Sequence, residues 1–309
     1  MKIHYYTKNF DALKDTVLTV GSFDGLHLGH AEILDKMVSE AKRKGLQTCL
    51  ITFNPHPREI LKKSGSIDLL TSKKQKIDLL EKAGLEHLVV VPFNIEFANI
   101  SASEYVEQFL VPRFHPRVII IGHDHRFGKD QKGDVSLLRN IGSKWGFEVE
   151  EMKPKCIEGE IISSTKIRKL LKAGDVQKAQ SMLGRPFEIS GKVIHGQKLG
   201  RSLGFPTANL LLEDEKHILP KLGIYAVKAK INHSTFGGML YIGYRPTVTD
   251  TRALSIEVHL FNFDQNIYDR IISLSFIGFI REDEHFEKLD DLKSRMALDR
   301  ESALKILSN

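Results

Sequence analysis

Up to about residue 183 the chain repeats one pattern, a short apolar run, a turn and an amphipathic stretch, and that alternation restricts its fold more than any other feature. The runs at 16–21, 48–53, 87–93, 118–122 and 147–152 are rich in Val and Ile and do not alternate strictly, as expected of strands covered on both faces. Helical segments are expected between them near 30–44, 71–83, 101–110 and 134–145. Strand and helix in turn predict βαβ units and a doubly wound parallel sheet. Ligands of such sheets bind beyond the carboxyl ends of the strands, so the loops after Val20, Phe53 and Ile121 are where chemistry is expected.

At Leu183-Gly184-Arg185-Pro186-Phe187, after a short helix from about Asp175, the period changes. Tyr225, Val227, Ala229 and Ile231 alternate with Ala226, Lys228 and Lys230, and Leu254, Ile256, Val258 and Leu260 alternate with Ser255, Glu257 and His259. Half-buried antiparallel strands follow, closing a small barrel or sandwich with a terminal helix near 289–307. Two domains, 1–183 and 184–309, suit a chain of 309 residues. With 41% hydrophobic and 27% charged residues there is ample apolar material for two cores, which excludes disorder as the dominant state.

The remaining composition narrows the function. The first thirty residues lack the apolar segment of a signal peptide, and the longest apolar runs are too short to span a bilayer, so a cytoplasmic protein is expected. Two cysteines, Cys49 and Cys156, allow no disulfide framework or four-thiolate zinc site within one chain and are expected to be reduced thiols. The formal charge of +6 is spread out: Lys and Arg number 28 against 23 Asp and Glu up to residue 183, and 17 against 16 beyond it. No dense basic helix or helix-turn-helix pattern is present, which suits phosphate handling better than nucleic-acid binding. The run Lys42-Arg43-Lys44 reads as a solvated surface.

After the first expected strand stands Gly21-Ser22-Phe23-Asp24-Gly25-Leu26-His27-Leu28-Gly29-His30. Two imidazoles three residues apart at a strand-to-helix turn can both face a phosphate at the helix N-terminus. The alternatives are a metal pair, for which the zincin spacing and glutamate are absent, and two ordinary surface histidines. Farther on, Ile162-Ser163-Ser164-Thr165-Lys166-Ile167-Arg168 opens another helix. Ser164 and Thr165 can simply cap it, or with Lys166 and Arg168 form an anion-binding N-terminus. Neither Gly184 to Lys192 nor Gly122 to Lys129 has the spacing of a P-loop.

In the second half, Gly191-Lys192-Val193-Ile194-His195-Gly196 leads to Gly200-Arg201-Ser202-Leu203-Gly204-Phe205-Pro206-Thr207-Ala208-Asn209. Clustered glycines free backbone N–H groups for phosphate oxygens, and Thr207 and Asn209, two apart on an extended segment, can offer hard oxygen ligands to Mg²⁺. An ordinary Gly/Pro turn is the plain alternative. Alternation sets Glu257 on the face opposite Ile256 and Val258, free of the apolar layer, where a charged strand residue is ordinarily solvated.

These elements, with Thr52-Phe53-Asn54-Pro55-His56-Pro57 and Gly122-His123-Asp124-His125-Arg126-Phe127-Gly128, resemble in order the motifs of the bifunctional bacterial riboflavin kinase/FMN adenylyltransferases. Pro206 to Asn209, Gly223 to Val227, Ile242 to Thr247 and Glu257 to Leu260 are similar to the riboflavin kinase signature of the same family. The resemblance spans nearly the whole chain. It implies a Rossmann-like nucleotidyltransferase domain of the HxGH type followed by a riboflavin kinase barrel, with ATP, riboflavin and FMN as substrates, FAD as product and Mg²⁺ as cofactor.

Carried onto this sequence, the resemblance makes His27, His30, Arg168 and Glu257 the catalytic residues. Gly21, Phe23, Asp24, Gly25, Gly29, Ser163, Ser164 and Thr165 would line one ATP site, and Gly191, Gly200, Gly204 and Pro206 the other. Asn54, Pro55, His56, Pro57, Asp124, Phe127 and Arg281 would face flavin, and Thr207 and Asn209 the metal. Arg281, the acidic run to Glu287 and the terminal helix would close over the flavin. His125, Tyr241, Asn262 and Asp269 depart from the family pattern. Competing readings are that one half has lost activity, or that the chain is a non-catalytic flavin- or nucleic-acid-binding regulator. Small molecules are the expected partners, with no nucleic acid and no membrane, and a weak homo-oligomer is compatible with the sequence.

Overall fold

The computed structural model describes residues 1–61, 68–196, 199–245 and 253–308, so Pro246 and Thr247 of the second motif set lie outside the described residues. The chain forms two compact units, Met1–Ile67 with Lys73–Ser163, and Asp68–Ser72 with Ser164–Asn309. Among the described residues no helix is long and apolar enough to cross a membrane.

The first unit is built on six parallel strands, β1 (Lys2–Tyr5), β2 (Thr16–Val20), β3 (Gln47–Asn54), β4 (His87–Pro92), β5 (Pro116–Gly122) and β6 (Glu148–Met152), in the order β1-β4-β3-β2-β5-β6. The five expected strands are all present. The edge strand β1 is the addition, and its four residues KIHY are too short and too polar to stand out as an apolar run. Successive residues go to opposite cores: Leu18, Cys49, Ile51, Val89 and Ile119 face one, and Val17, Leu50, Leu88, Val118 and Ile120 the other. Burial of both faces is why these strands read as unbroken apolar runs.

Helices Leu28–Lys44, Lys73–Lys82 and Val135–Trp145 fall where the periodicity predicts them. The fourth expected helix is a π-helix, Tyr105–Leu110, entered through a Ser101–Glu104 capping box. Pro112 follows it and has no N–H to offer the preceding turn, and the wider turn sends Tyr105, Val106, Phe109 and Leu110 into one core. The basic run Lys42-Arg43-Lys44 ends the first helix, where cations oppose the helix dipole; Arg43 pairs with Glu40 at 2.6 Å and Lys44 with Glu148 at 2.6 Å. A small hairpin joins β7 (Cys156–Ile157) to β8 (Glu160–Ile161).

In the second unit β9 (Phe187–Ile194), β10 (Ala208–Leu212), β11 (Gly223–Ile231), β12 (Ser234–Arg245), β13 (Ala253–Leu260) and β14 (Ile271–Arg281) close an antiparallel barrel in the order β10-β13-β12-β11-β14-β9. Alternation fails at Ala226, which is fully buried although it points outward, because the terminal helix Leu289–Ser308 covers that side. Gly237 and Gly278 permit the close approach: a Cβ on either would stand 3.0 Å from Leu307 or 2.8 Å from Ile306.

Asp68–Ser72 joins this unit although it precedes it by about a hundred residues. Leu69 N–H donates to Lys216 O at 2.6 Å, Ile218 N–H donates to Leu69 O at 2.8 Å, and Arg168 Nε donates to Asp68 O at 2.7 Å. The helix Val176–Leu183 packs on β9 and β14. A fragment of residues 184–309 loses both supports. Its barrel is therefore expected to be less stable and to unfold at lower temperature than in the full chain, each lost backbone hydrogen bond contributing about 0.5–1.5 kcal/mol. Equal midpoints in calorimetry would show these supports to be dispensable.

Candidate functional site

In the parallel sheet the strand order reverses beside β2, whose neighbours are β3 and β5, so a crevice opens at the carboxyl ends of β2 and β5. The loop after β2 turns sharply there: Phe23, Gly25 and Leu26 have φ of 46°, 85° and 39°. His27 caps the first helix, its Nδ1 accepting from the His30 N–H at 3.3 Å, which leaves Nε2 as the ring's donor in the neutral form. The two imidazoles lie stacked, centroids 3.7 Å apart and planes 13° apart, and Phe23 packs on His30 at 4.6 Å.

The glycines of this motif make room for rings. A Cβ on Gly29 would stand 3.3 Å from the His27 imidazole, and one on Gly21 would stand 3.2 Å from the Phe23 ring. Asp24 is buried just beyond them. The helix N-terminus beside the two imidazoles carries the positive end of the helix dipole, which favours negative charge.

Loops from the neighbouring strands share that end of the sheet. After β3, Asn54 and Pro55 lead to His56, which caps the short helix Pro57–Ile60 by accepting from Arg58 N–H at 3.2 Å. After β5, Asp124 is exposed, while Phe127 is buried against Tyr105 and bridges Gly133, anchoring the loop in the core. Burial pushes the His125 imidazole down to about 4 despite the nearby Asp124 carboxylate, so this ring is neutral at pH 7.

Ser163 is the last residue of the first unit, and Ser164, Thr165 and Arg168 belong to the second. Ser164 and Thr165 open the helix Ser164–Ala173. Arg168, one turn on, holds the Asp68 carbonyl, and Lys172 pairs with the Asp68 carboxylate.

The barrel carries a cavity of about 560 Å³ on the polar side of β13. Glu257 lines it with Thr207, Gly200, Tyr241 and Arg281. The carboxylate is held at both oxygens: Ser255 donates to Oε1 at 2.8 Å and Thr207 to Oε2 at 3.2 Å. Asn209 and Glu257 are direct partners across β10 and β13. A Cβ on Gly196 would stand 2.2 Å from the Asn209 amide, and one on Gly200 would stand 2.3 Å from Phe205 O, so both positions need glycine for close packing. Gly204 takes φ 85°, and Gly191 lies tight against Leu211 O.

The Pro206 carbonyl can only accept, so His259 Nδ1, 2.8 Å away, carries the proton; burial holds this imidazole below its ordinary range. Arg281 forks onto Asp299 of the terminal helix, with Nε to Oδ1 at 2.9 Å and Nη2 to Oδ2 at 2.8 Å. Tyr241 donates to Asp283 at 3.0 Å, tying β12 to the acidic run.

Sequence reasoning missed His259, Asp299 and the apolar wall made by Met239, Leu292 and Met296. His259 stands two residues after Glu257 on the same strand face, and that spacing could have found it. Asp299 carried no signal, since an acid on an amphipathic helix reads as solvated.

Comparison with known proteins gives two family models along the chain, FAD synthetase over residues 9–166 and Riboflavin kinase over 183–307. Proteins named bifunctional riboflavin kinase/FMN adenylyltransferase are similar over nearly the full length. The one from Haemophilus influenzae is 38% identical, with 94% of each chain covered. Those from Bacillus subtilis and Escherichia coli are 36% and 35% identical, covering 95% and 93% of this chain and 93% and 91% of theirs. A crystal structure from Streptococcus pneumoniae named a macrolide-efflux protein is 29% identical, with a TM-score of 0.89 over 97% of this chain and 98% of its own.

Proposed function

The chain belongs to the family of bifunctional riboflavin kinase/FMN adenylyltransferases, and from that membership we propose how its residues divide the work. The protein phosphorylates riboflavin with ATP to FMN, then adenylylates FMN with a second ATP to FAD, releasing pyrophosphate. We assign adenylyl transfer to residues 1–183 and phosphorylation to 184–309.

For adenylyl transfer, an oxygen of the FMN phosphate attacks the α-phosphorus of ATP while the bond to the β-phosphate oxygen breaks. No protein nucleophile is needed, because positioning and charge stabilisation supply the rate. His27 Nε2–H and the His30 ring stabilise the charge on the reacting phosphates. Gly21, Phe23, Asp24, Gly25 and Gly29 shape the loop that places them, Ser163, Ser164, Thr165 and Arg168 hold the ATP phosphates, and Asp124 with Asn54 to Pro57 receives the flavin. Phe127 contributes by anchoring the Asp124 loop. Substituting Gly29→Ala pushes a methyl against the His27 ring and is expected to lower the rate of FAD formation about tenfold without changing FMN formation, as steady-state rates would show.

For phosphorylation, Glu257 accepts the proton of the riboflavin 5′-hydroxyl as its oxygen attacks the γ-phosphorus and ADP leaves. The observation that carries this assignment is Glu257 held by Ser255 and Thr207 at the wall of a cavity large enough for a ring system. Gly200, Gly204 and Pro206 shape the ATP-facing segment, and Gly191 contributes to that site from β9. Arg281 acts through Asp299 to keep the terminal helix over the flavin.

Thr207 and Asn209 fit a hard cation: both offer oxygen, and the Thr207 hydroxyl proton is already directed to Glu257. Among the described residues no cluster of three His, Cys, Asp or Glu could hold a metal alone, so Mg²⁺ would be bound together with nucleotide phosphates. Bound there, Mg²⁺ would neutralise charge on the transferring phosphoryl group. A time course with riboflavin, ATP and Mg²⁺ tests the whole reading: FMN should rise first and FAD follow, and absence of either product would exclude the two-step assignment.

A further inference from the structure

A lysine outside every motif is built against the loop after β2. Lys76, on the helix Lys73–Lys82, donates from Nζ to the Ser22 carbonyl at 2.8 Å, and the Thr52 hydroxyl lies 3.5 Å from the same oxygen. The residue that follows, Phe23, has φ 46°, a region that a bulky side chain occupies only when its surroundings impose it. Its ring, almost fully buried, packs on His30, which packs on His27.

Burial pushes the Lys76 ammonium below the usual lysine range, and the charge of Asp24 partly restores it. The side chain is half-buried and its Nζ is committed to a backbone carbonyl of the loop. A charge-assisted hydrogen bond is comparable in size to the cost of the Phe23 backbone conformation.

We propose that Lys76 is a positioning residue for adenylyl transfer: its ammonium pins the Ser22 carbonyl, keeps Phe23 in its left-handed conformation, and so holds the Phe23–His30–His27 stack in place against the reacting phosphates. The inference rests on the assignment of His27 and His30 to that step. Lys76 acts through the backbone, so its loss lowers turnover and leaves nucleotide affinity in place.

The test measures kcat and KM for FAD formation from supplied FMN and ATP in Lys76→Met, Lys76→Gln, Lys76→Arg and His30→Ala full-length chains, with FMN formation from riboflavin as an internal control. Lys76→Met is expected to lower kcat about 30- to 100-fold, with KM for ATP and FMN within threefold and FMN formation unchanged. Lys76→Arg should recover to within about fivefold of the parent, and Lys76→Gln should fall between. The flanking rings are expected to shift the His30 ring protons in the parent; these signals should move toward free-imidazole values in Lys76→Met and stay in place in Lys76→Arg.

A kcat within twofold of the parent in Lys76→Met would overturn the proposal. So would a rise in KM at unchanged kcat, which would make Lys76 a substrate ligand, or loss of folding or of both activities in all three Lys76 variants. If His30→Ala itself retains FAD formation, the underlying site assignment fails instead, and that outcome is separable because it does not depend on any change at Lys76.

Discussion

His30→Ala is expected to stop the reaction sequence at FMN, with FAD formation falling about 10²–10³-fold, the usual cost of removing one preorganised donor from a transition state that gains charge. The substitution removes the middle ring of the Phe23–His30–His27 stack. It leaves the His27 cap intact, since that bond uses the backbone N–H of residue 30, and alanine is a good helix former in the first turn. The thermal midpoint should therefore change little. Riboflavin phosphorylation in the barrel should continue at the parental rate, so FMN accumulates when riboflavin and ATP are supplied together. Chromatographic resolution of the flavins over time reads both steps at once. Loss of both activities in a folded variant would refute separate sites.

Glu257→Ala is expected to give the converse result, with FMN formation reduced about 10²–10⁴-fold and conversion of supplied FMN to FAD unchanged. Glu257→Gln separates chemistry from architecture. Its amide oxygen can still accept a hydrogen bond from Ser255 or Thr207, so the cavity wall keeps its shape and KM for riboflavin stays near the parental value. It cannot take a proton, so kcat falls as far as in the alanine variant. Near-parental kcat in Glu257→Gln would assign Glu257 to positioning Thr207 and would require another base.

Much of the site was legible because its chemistry is local. His27, Gly29 and His30 sit within one turn, and the spacing alone brings the imidazoles to a helix N-terminus. Thr207 and Asn209 are likewise two apart, at the entry to β10. What escaped was set by partners distant in sequence. Lys76 reaches Ser22 across 54 residues, Arg281 finds Asp299 on the terminal helix, and Thr207 meets Glu257 across 50. The polar face of β13 looked solvated by pattern, yet Ser255 and His259 are buried, because the terminal helix and the acidic run wall off a cavity on that side.

By itself the sequence determined a parallel strand-and-helix unit followed by an antiparallel strand unit with a terminal helix, since hydrophobic period follows directly from which faces are covered, while the lateral order of the strands and the closure of the barrel came from the tertiary structure. It also determined the glycines that let rings and backbone approach. Only the tertiary structure decided that Asp68–Ser72 pairs with Lys216 to Ile218, that Phe127 is an anchor, and that Ala226 is buried from outside. Those outcomes depend on contacts between segments far apart in the chain, and periodicity, which reports only whether a position meets an apolar layer, carries no information about which layer it meets.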